Sequence, residues 1–114
     1  MTYTSRPSGQ YTRGERLFVG ALTLDILLGD VRSLKQKRSV VRPIVAELQR
    51  KFSVSVAETG EQDLYRRSEI GVAVMAATAA HCSQIMDSCE RLVAERPEIE
   101  LLSARQRLFS AEED

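Results

Sequence analysis

Apolar side chains alternate with smaller ones between residues 18 and 28, and this stretch constrains the fold more than any other part of the chain. Leu22, Leu24 and Ile26 recur at every second position, with small or polar residues between them. A period of two places successive side chains on opposite faces of an extended strand. The sequence therefore predicts a first strand with one heavily apolar face.

The following segment has the spacing of a capped helix. Ser33 and Gln36 stand three residues apart, as in a capping box. Apolar residues then recur at helical spacing: Leu34, Val41, Ile44, Val45, Leu48 and Phe52. They predict a helix of about eighteen residues. Pro43 lies near its middle, where proline removes a backbone hydrogen bond at a cost of about 3 kcal/mol. We therefore expect a kink, or a helix in two parts with Ser39 capping the second.

Three more strands and a second helix are indicated downstream. Alternation across residues 53–57 and again across residues 70–76 predicts two strands that pair antiparallel. Thr78 is placed to cap the second helix, and Pro97 should end it at about Arg96. Its apolar stripe contains Cys82, Ile85, Met86, Cys89, Leu92 and Val93. Residues 99–109 predict a last strand, in which either Ile99 and Leu101 or Leu102 and Ala104 face inward.

This order of elements predicts the α+β class, in a ferredoxin-like βαββαβ arrangement with a four-stranded antiparallel sheet and two helices on one face. We expect the domain to span residues 16–109, between a disordered arm at 1–15 and an acidic tail at 110–114. No apolar run approaches the roughly 20 residues of a membrane span, and no apolar secretory segment is present. We therefore expect a cytoplasmic protein with no membrane partner.

Basic residues cluster near the start of the first predicted helix. Residues 1–67 carry twelve Lys and Arg against seven Asp and Glu, whereas the remainder carries four against nine. Cations are disfavoured at a helix N-terminus, but its free N–H groups together with Lys and Arg suit phosphate. We expect RNA contacts from four residues: Lys35, Lys37, Arg38 and Arg42. The alternative is a solvated basic face.

A second basic group lies in the polar connection between the second and third strands. Tyr65 could stack on a base while Arg66 and Arg67 contact phosphates, as in recognition of single-stranded RNA. Alternatively, Asp63 and Glu69 pair with the two arginines and fasten the connection. We favour this structural pairing slightly.

The sequence gives little support for catalysis, a metal or a cofactor. An acylphosphatase-like hydrolase of this architecture would use an arginine in the first loop together with an asparagine. Arg32 is near that loop, but the chain contains no Asn. Cys82, Cys89 and the lone His81 do not provide four good zinc ligands, so we expect reduced, packed thiols. We therefore expect no enzymatic activity and no cofactor.

Three linked motifs resemble the YlxP-like family of small bacterial proteins, a domain of unknown function. They are Ser33-Leu34-Lys35-Gln36-Lys37-Arg38, Phe52-Ser53-Val54-Ser55-Val56-Ala57-Glu58 and residues 62–74, which read QDLYRRSEIGVAV. The resemblance covers residues 17–108. It implies a compact ferredoxin-like fold and a gene neighbourhood shared with translation initiation and ribosome-assembly genes. It implies no enzymatic activity.

Together these features predict a non-enzymatic RNA- or ribosome-associated binding protein in ribosome assembly or translation, with ribosomal RNA or a ribosomal subunit as partner. The alternative is a protein-interaction or regulatory module without RNA contact. In that case the acidic second half would meet a basic partner through Asp87, Glu90, Glu95, Glu98 and Glu100.

The sheet face away from the helices should carry small, mostly uncharged residues. It lacks the stacking aromatics of an RNA-recognition motif, so we expect any RNA to bind helix ends and loops. An apolar face of this kind usually marks a contact surface. We expect a homodimer through this face, which carries Val19, Ala21, Ala57, Ala73 and Met75. The competing possibility is that the N-terminal arm folds back over it.

Overall fold

The chain forms four strands and two helices in the order predicted. The computed structural model describes residues 16–111, and its elements are β1 (Phe18–Leu28), α1 (Leu34–Phe52), β2 (Ser55–Gly60), β3 (Arg67–Ala76), α2 (Ala79–Ala94) and β4 (Ile99–Ser110). The sheet has the strand order β2-β3-β1-β4, and every pair is antiparallel. This confirms the ferredoxin-like βαββαβ arrangement.

The boundaries of the domain differ slightly from those predicted. Ser110 pairs with Phe18 at the end of β4, so the predicted tail does not begin at residue 110. The predicted arm at 1–15 and residues 112–114 lie outside the described residues. Within residues 16–111, no helix is long and apolar enough to cross a membrane.

The hydrophobic core lies between one face of the sheet and the two helices. The even-numbered side chains of β1 supply its floor, and Leu24 and Ile26 are completely buried. Val41, Ile44 and Leu48 of α1 pack onto them, as do the following residues of α2: Cys82, Met86, Cys89 and Val93. Alternation in β1 and helical spacing in α1 and α2 therefore identify the core correctly.

The first helix is continuous, which excludes the two-part alternative, whereas the expected kink at Pro43 stays a prediction. It runs unbroken through Pro43, although that residue has no N–H to donate to the carbonyl of Ser39. Buried side chains on both sides of the proline, Val41 and Ile44, hold the helix against the sheet. The Ser39 hydroxyl does not cap a second helix and instead donates to the carbonyl of Lys35 at 3.1 Å.

Both ends of α1 correct details of the sequence analysis. Leu34, expected in the apolar stripe, is 41% exposed because it is the first helical residue and lies beyond the edge of the core. Ser53, assigned to the second strand, is instead the C-cap of α1, with a φ of 53° in the left-handed region. Strand β2 starts two residues later, at Ser55.

A β-bulge settles the orientation of β4. Asp25 pairs with Ser103 and Ile26 with Leu101, so Leu102 is an extra residue between them. The bulge shifts the alternation by one, and Ile99, Leu101 and Ala104 therefore all contact the core. Neither of the two predicted phases describes the whole strand, because each fits only one side of the bulge.

Candidate functional site

Three exposed cations form a ridge along α1. Lys35, Arg38 and Arg42 lie three to four residues apart, which places them on one side of the helix, and all three are exposed. Within residues 16–111, none of these side chains forms an ion pair or a hydrogen bond. We call these three residues the basic ridge. Arg38 and Arg42 also line a groove of about 370 Å³ between α1 and Glu58 of β2.

Lys37 does not belong to the ridge, although we expected it among the RNA contacts. Its side chain is only 3% exposed, and its Nζ lies 2.9 Å from a carboxylate oxygen of Glu58. The same Nζ donates to the carbonyl of Glu61 at 2.6 Å. The carboxylate of Glu58 also accepts from the hydroxyl of Ser68, which is fully buried. Lys37 therefore ties α1 to the β2–β3 hairpin and is not available to phosphate.

The predicted capping box forms at the start of α1. The Ser33 hydroxyl accepts from the amide of Gln36 at 3.1 Å. The Gln36 side chain in turn accepts from the amide of Arg32 at 2.7 Å. In the described chain, the amides of Leu34 and Lys35 have no acceptor. Those two N–H groups therefore lie at the positive end of the helix dipole, beside the Lys35 side chain.

The loop between β2 and β3, residues 61–66, lies beside the start of α1. Lys37 holds its first residue, and the amide of Leu28 donates to the carbonyl of Arg66 at 2.8 Å. The Nε of Arg66 donates to the carbonyl of Gly29 at 2.9 Å. Tyr65 is 47% exposed on the same loop. The structure therefore brings the two basic segments together, at the end of the fold where α1 begins.

The predicted ion pairs within this loop do not form. Among the described residues, neither Asp63 nor Glu69 pairs with Arg66 or Arg67. Glu69 lies 3.6 Å from Arg105 of β4 and accepts from Thr59 at 2.8 Å. The loop is fastened instead by Lys37 and by the backbone carbonyls that Arg66 binds.

Arg67 stands apart from the loop surface. It is the first residue of β3, and its side chain is half-buried. Its Nε is buried and has no hydrogen-bond partner in the structure. We therefore keep Tyr65 and Arg66 in the candidate site and leave Arg67 out of it.

The outer face of the sheet, opposite the helices, is more charged and more aromatic than expected. Strands β1, β2 and β3 present small residues there, including Ala21, Ala57 and Ala73, which line a groove of about 450 Å³. Register places Arg105, Arg107 and Phe109 of β4 on the same face. The guanidinium of Arg107 lies 5.0 Å from the Phe109 ring centre. These side chains were not predicted on this face because alternation within residues 99–109 does not orient β4.

The residues considered for chemistry in the described chain are the two cysteines, Arg32 and the possible metal ligands. Both cysteines are free and buried, as expected of packed thiols. Burial raises the pKa of the Cys89 thiol to about 11 and also raises the pKa of Cys82, which keeps both protonated near neutral pH. Arg32 is paired with Asp30 at 3.2 Å. Across residues 16–111, no three His, Cys, Asp or Glu side chains form a group that could hold a metal ion.

Comparison with known proteins supports the resemblance seen in the sequence. A family model described as "Protein of unknown function (DUF503)" matches residues 19–106. The uncharacterized protein YlxP of Bacillus subtilis (strain 168) is 30% identical over 91 residues, which span 80% of this chain and 99% of that protein. These two findings confirm the YlxP-like resemblance.

The chain is also similar to two solved structures. A de novo designed protein with a ferredoxin fold is 13% identical with a TM-score of 0.47, covering 82% of this chain and 84% of its own. A protein from Shewanella oneidensis is also 13% identical with a TM-score of 0.47, covering 85% of this chain and 92% of its own. Similarity this low carries no information on what the chain binds.

Proposed function

We propose that this chain, which belongs to the family described as "Protein of unknown function (DUF503)", binds RNA through the basic ridge and the adjoining loop 61–66. It does so by contacting phosphates and an unpaired base, and it catalyses no reaction. Its cellular context is the ribosome, in the cytoplasm, with ribosomal RNA as the RNA bound. The gene neighbourhood implied by the resemblance supports that context.

The observation that carries the proposal is that three cations on one face of α1 have no acidic partner in the described chain. Arg32, Arg50 and Arg96 each have an acidic side chain within 3.9 Å. Lys35, Arg38 and Arg42 have none, although they share one helix face. Like charges at this spacing repel one another by a few tenths of a kcal/mol per pair. A phosphate backbone laid along the ridge would turn that repulsion into attraction.

The loop supplies what a ridge of cations lacks, a surface for a base. Tyr65 is exposed, and aromatic side chains stack on unpaired bases with little dependence on sequence. Only the Nε of Arg66 is engaged by backbone carbonyls, which leaves its two terminal nitrogens without partners in residues 16–111. RNA bound here would place phosphates on α1 and one base against Tyr65.

Fluorescence anisotropy with a labelled single-stranded RNA of about 12 nucleotides tests the binding directly. Three phosphate contacts should give a log Kd that rises with log salt at a slope of about 2, from about 0.7 per phosphate. The double variant Arg38→Gln/Arg42→Gln should weaken binding and reduce that slope to below 1. The matched control, Lys51→Gln/Arg91→Gln, removes two exposed cations from the last turns of α1 and α2. It should bind like the parent.

The same measurement separates RNA binding from the protein-interaction alternative. No binding at about 50 mM salt would overturn the proposal. Equal loss in the ridge and control variants would exclude the ridge as the site. The ribosomal context is tested by sedimenting cell lysate through sucrose at low and high salt. Absence of the chain from every ribosomal fraction at low salt contradicts it, and a pull-down that survives ribonuclease favours a protein partner.

A further inference from the structure

Three large apolar side chains stand in a row across the outer face of the sheet. Val19 of β1 is directly opposite Met75 of β3 on one side and Phe109 of β4 on the other. Met75 is 72% exposed, Phe109 38% and Val19 36%. We call this row the apolar strip. Exposed large apolar side chains that adjoin one another mark contact surfaces more often than isolated ones do.

The opposite end of the same face is polar, and its carboxylates are held by hydrogen bonds within the face. Asp25 accepts from the hydroxyl of Ser103 at 2.8 Å. Glu69 is shared between Arg105 and Thr59. Between this polar end and the apolar strip lies the groove of small side chains. The face therefore changes along the strands from apolar, through small side chains flanked by Arg107 at the β4 edge, to polar.

We propose that this face binds the same face of a second copy of the chain, forming a homodimer whose two-fold axis runs along the strands. Such an axis keeps the strand direction unchanged, so it places apolar strip on apolar strip and polar end on polar end. An axis across the strands would instead bury charged groups against Met75 and Phe109, which costs desolvation without a partner.

The small side chains at the centre allow the two sheets to approach. Face-to-face sheets pack about 10 Å apart with their strands nearly aligned. Ala21, Ala73 and Ala57 present no bulk or charge at the middle of the contact. Closed two-fold pairs are also the commonest homo-oligomers.

The face carries charges of both signs, so it offers no net attraction for a phosphate backbone. Asp25 and Glu69 lie on it together with Arg105 and Arg107. In a dimer, Ser103 and Arg105 keep their contacts with the two carboxylates. The basic ridge lies on the helical side of the molecule, so the two surfaces can be occupied independently. The dimer proposal therefore does not rest on RNA binding.

The size of the face sets the expected affinity. Four strands of 6 to 12 residues, about 4.8 Å apart with a rise of about 3.3 Å per residue, give a flat area of roughly 600 Å² per copy. Twice that area falls at the lower end of specific interfaces. We expect a reversible dimer that forms at tens of micromolar.

Sedimentation or light scattering of the full chain between about 1 and about 200 µM tests the proposal. The measured mass should rise toward twice the 12.8 kDa of one chain. Ala73→Arg places a charge at the centre of the contact, and Met75→Glu places one in the apolar strip. Both should remain monomeric over the same range. Because Met75 is already 72% exposed, the second variant tests the contact even where the first fails to fold.

Ala80→Arg is the matched control, since it adds the same charge at an exposed position on α2. It should dimerise like the parent. A parent chain that stays monomeric to about 200 µM overturns the proposal. It is equally overturned if both face variants still dimerise. A monomer whose Met75 nevertheless resists oxidation would show that another part of the same chain covers the face, and this too would overturn it.

Discussion

The Nζ of Lys37 lies 2.9 Å from the carboxylate of Glu58, and this contact joins α1 to the β2–β3 hairpin. The lysine side chain is 3% exposed and the glutamate 27%. The lysine also holds the carbonyl of Glu61, which has a φ of 64° in the left-handed region. One ammonium group thus fixes both the end of β2 and the start of the loop that carries Tyr65.

Replacing that lysine should destabilise the protein. Lys37→Met keeps most of the aliphatic stem but leaves the partly buried Glu58 carboxylate without a cation, at a cost of about 3 kcal/mol. Lys37→Met/Glu58→Gln removes the uncompensated charge and should recover more than half of that loss. Urea denaturation of the parent and both variants measures the two values. A single variant as stable as the parent would show that the pair contributes nothing.

Gly20 should resist substitution because α2 packs directly over it. A Cβ at this position would lie 2.7 Å from the sulfur of Met86 and 2.9 Å from that of Cys82, both buried. Gly20→Ala should lower the free energy of unfolding by about 1 to 3 kcal/mol through overpacking. Gly29→Ala is the control, since its Cβ would meet nothing closer than 3.8 Å. Thermal unfolding that ranks the two variants the other way would contradict the prediction.

Each helix should depend on its capping hydroxyl. The Ser33 hydroxyl accepts from the Gln36 amide at 3.1 Å, and the Thr78 hydroxyl accepts from the His81 amide at 3.0 Å. Ser33→Ala and Thr78→Ala should each cost about 1 kcal/mol. Ser33→Gly should cost only a few tenths, because glycine suits the extended cap conformation. Chemical denaturation measures these values, and Ser33→Ala or Thr78→Ala variants as stable as the parent would argue against the hydroxyl caps.

The Cys89 thiol should make stability fall in alkali. Burial raises its pKa from the ordinary 9.0 to about 11, so the folded chain keeps a proton that the unfolded chain loses. The stabilisation is fully present below about pH 9 and is lost as the pH rises through about 11. Urea midpoints measured from pH 8 to 11 should therefore fall less steeply for Cys89→Ala than for the parent. Parallel slopes would mean that this thiol does not carry the effect.

The parts of the fold that sequence predicts well depend on neighbours close in the chain. Ser33 and Thr78 cap helices through amides three residues away, and alternation in β1 depends only on its own side chains. Lys35, Arg38 and Arg42 were placed correctly on an exposed helix face for the same reason. The order of the six elements then leaves few topologies that obey the handedness of crossover connections.

The sequence-based predictions are wrong where a partner far away in the chain determines the position of a residue. Spacing along α1 gives no sign that Lys37 meets Glu58, because the partner comes from the β2–β3 hairpin. Pro43 predicts a break by its own chemistry, but packing of the flanking side chains keeps the helix whole. The orientation of β4 depends on its register with β1, which no local pattern in residues 99–109 reveals.

The bulge at Leu102 moves every later side chain of β4 to the face opposite the one that unbroken alternation would give it. If alternation continued unchanged from Ile99, then Arg105, Arg107 and Phe109 would point beneath α2, and Gln106 would point away from its partner Asp87. Because the extra residue absorbs one step, every downstream side chain changes face. Deleting Leu102 alone would leave those faces as they are and simply straighten the strand, whereas a single insertion after Ser103 would exchange the inner and outer sets.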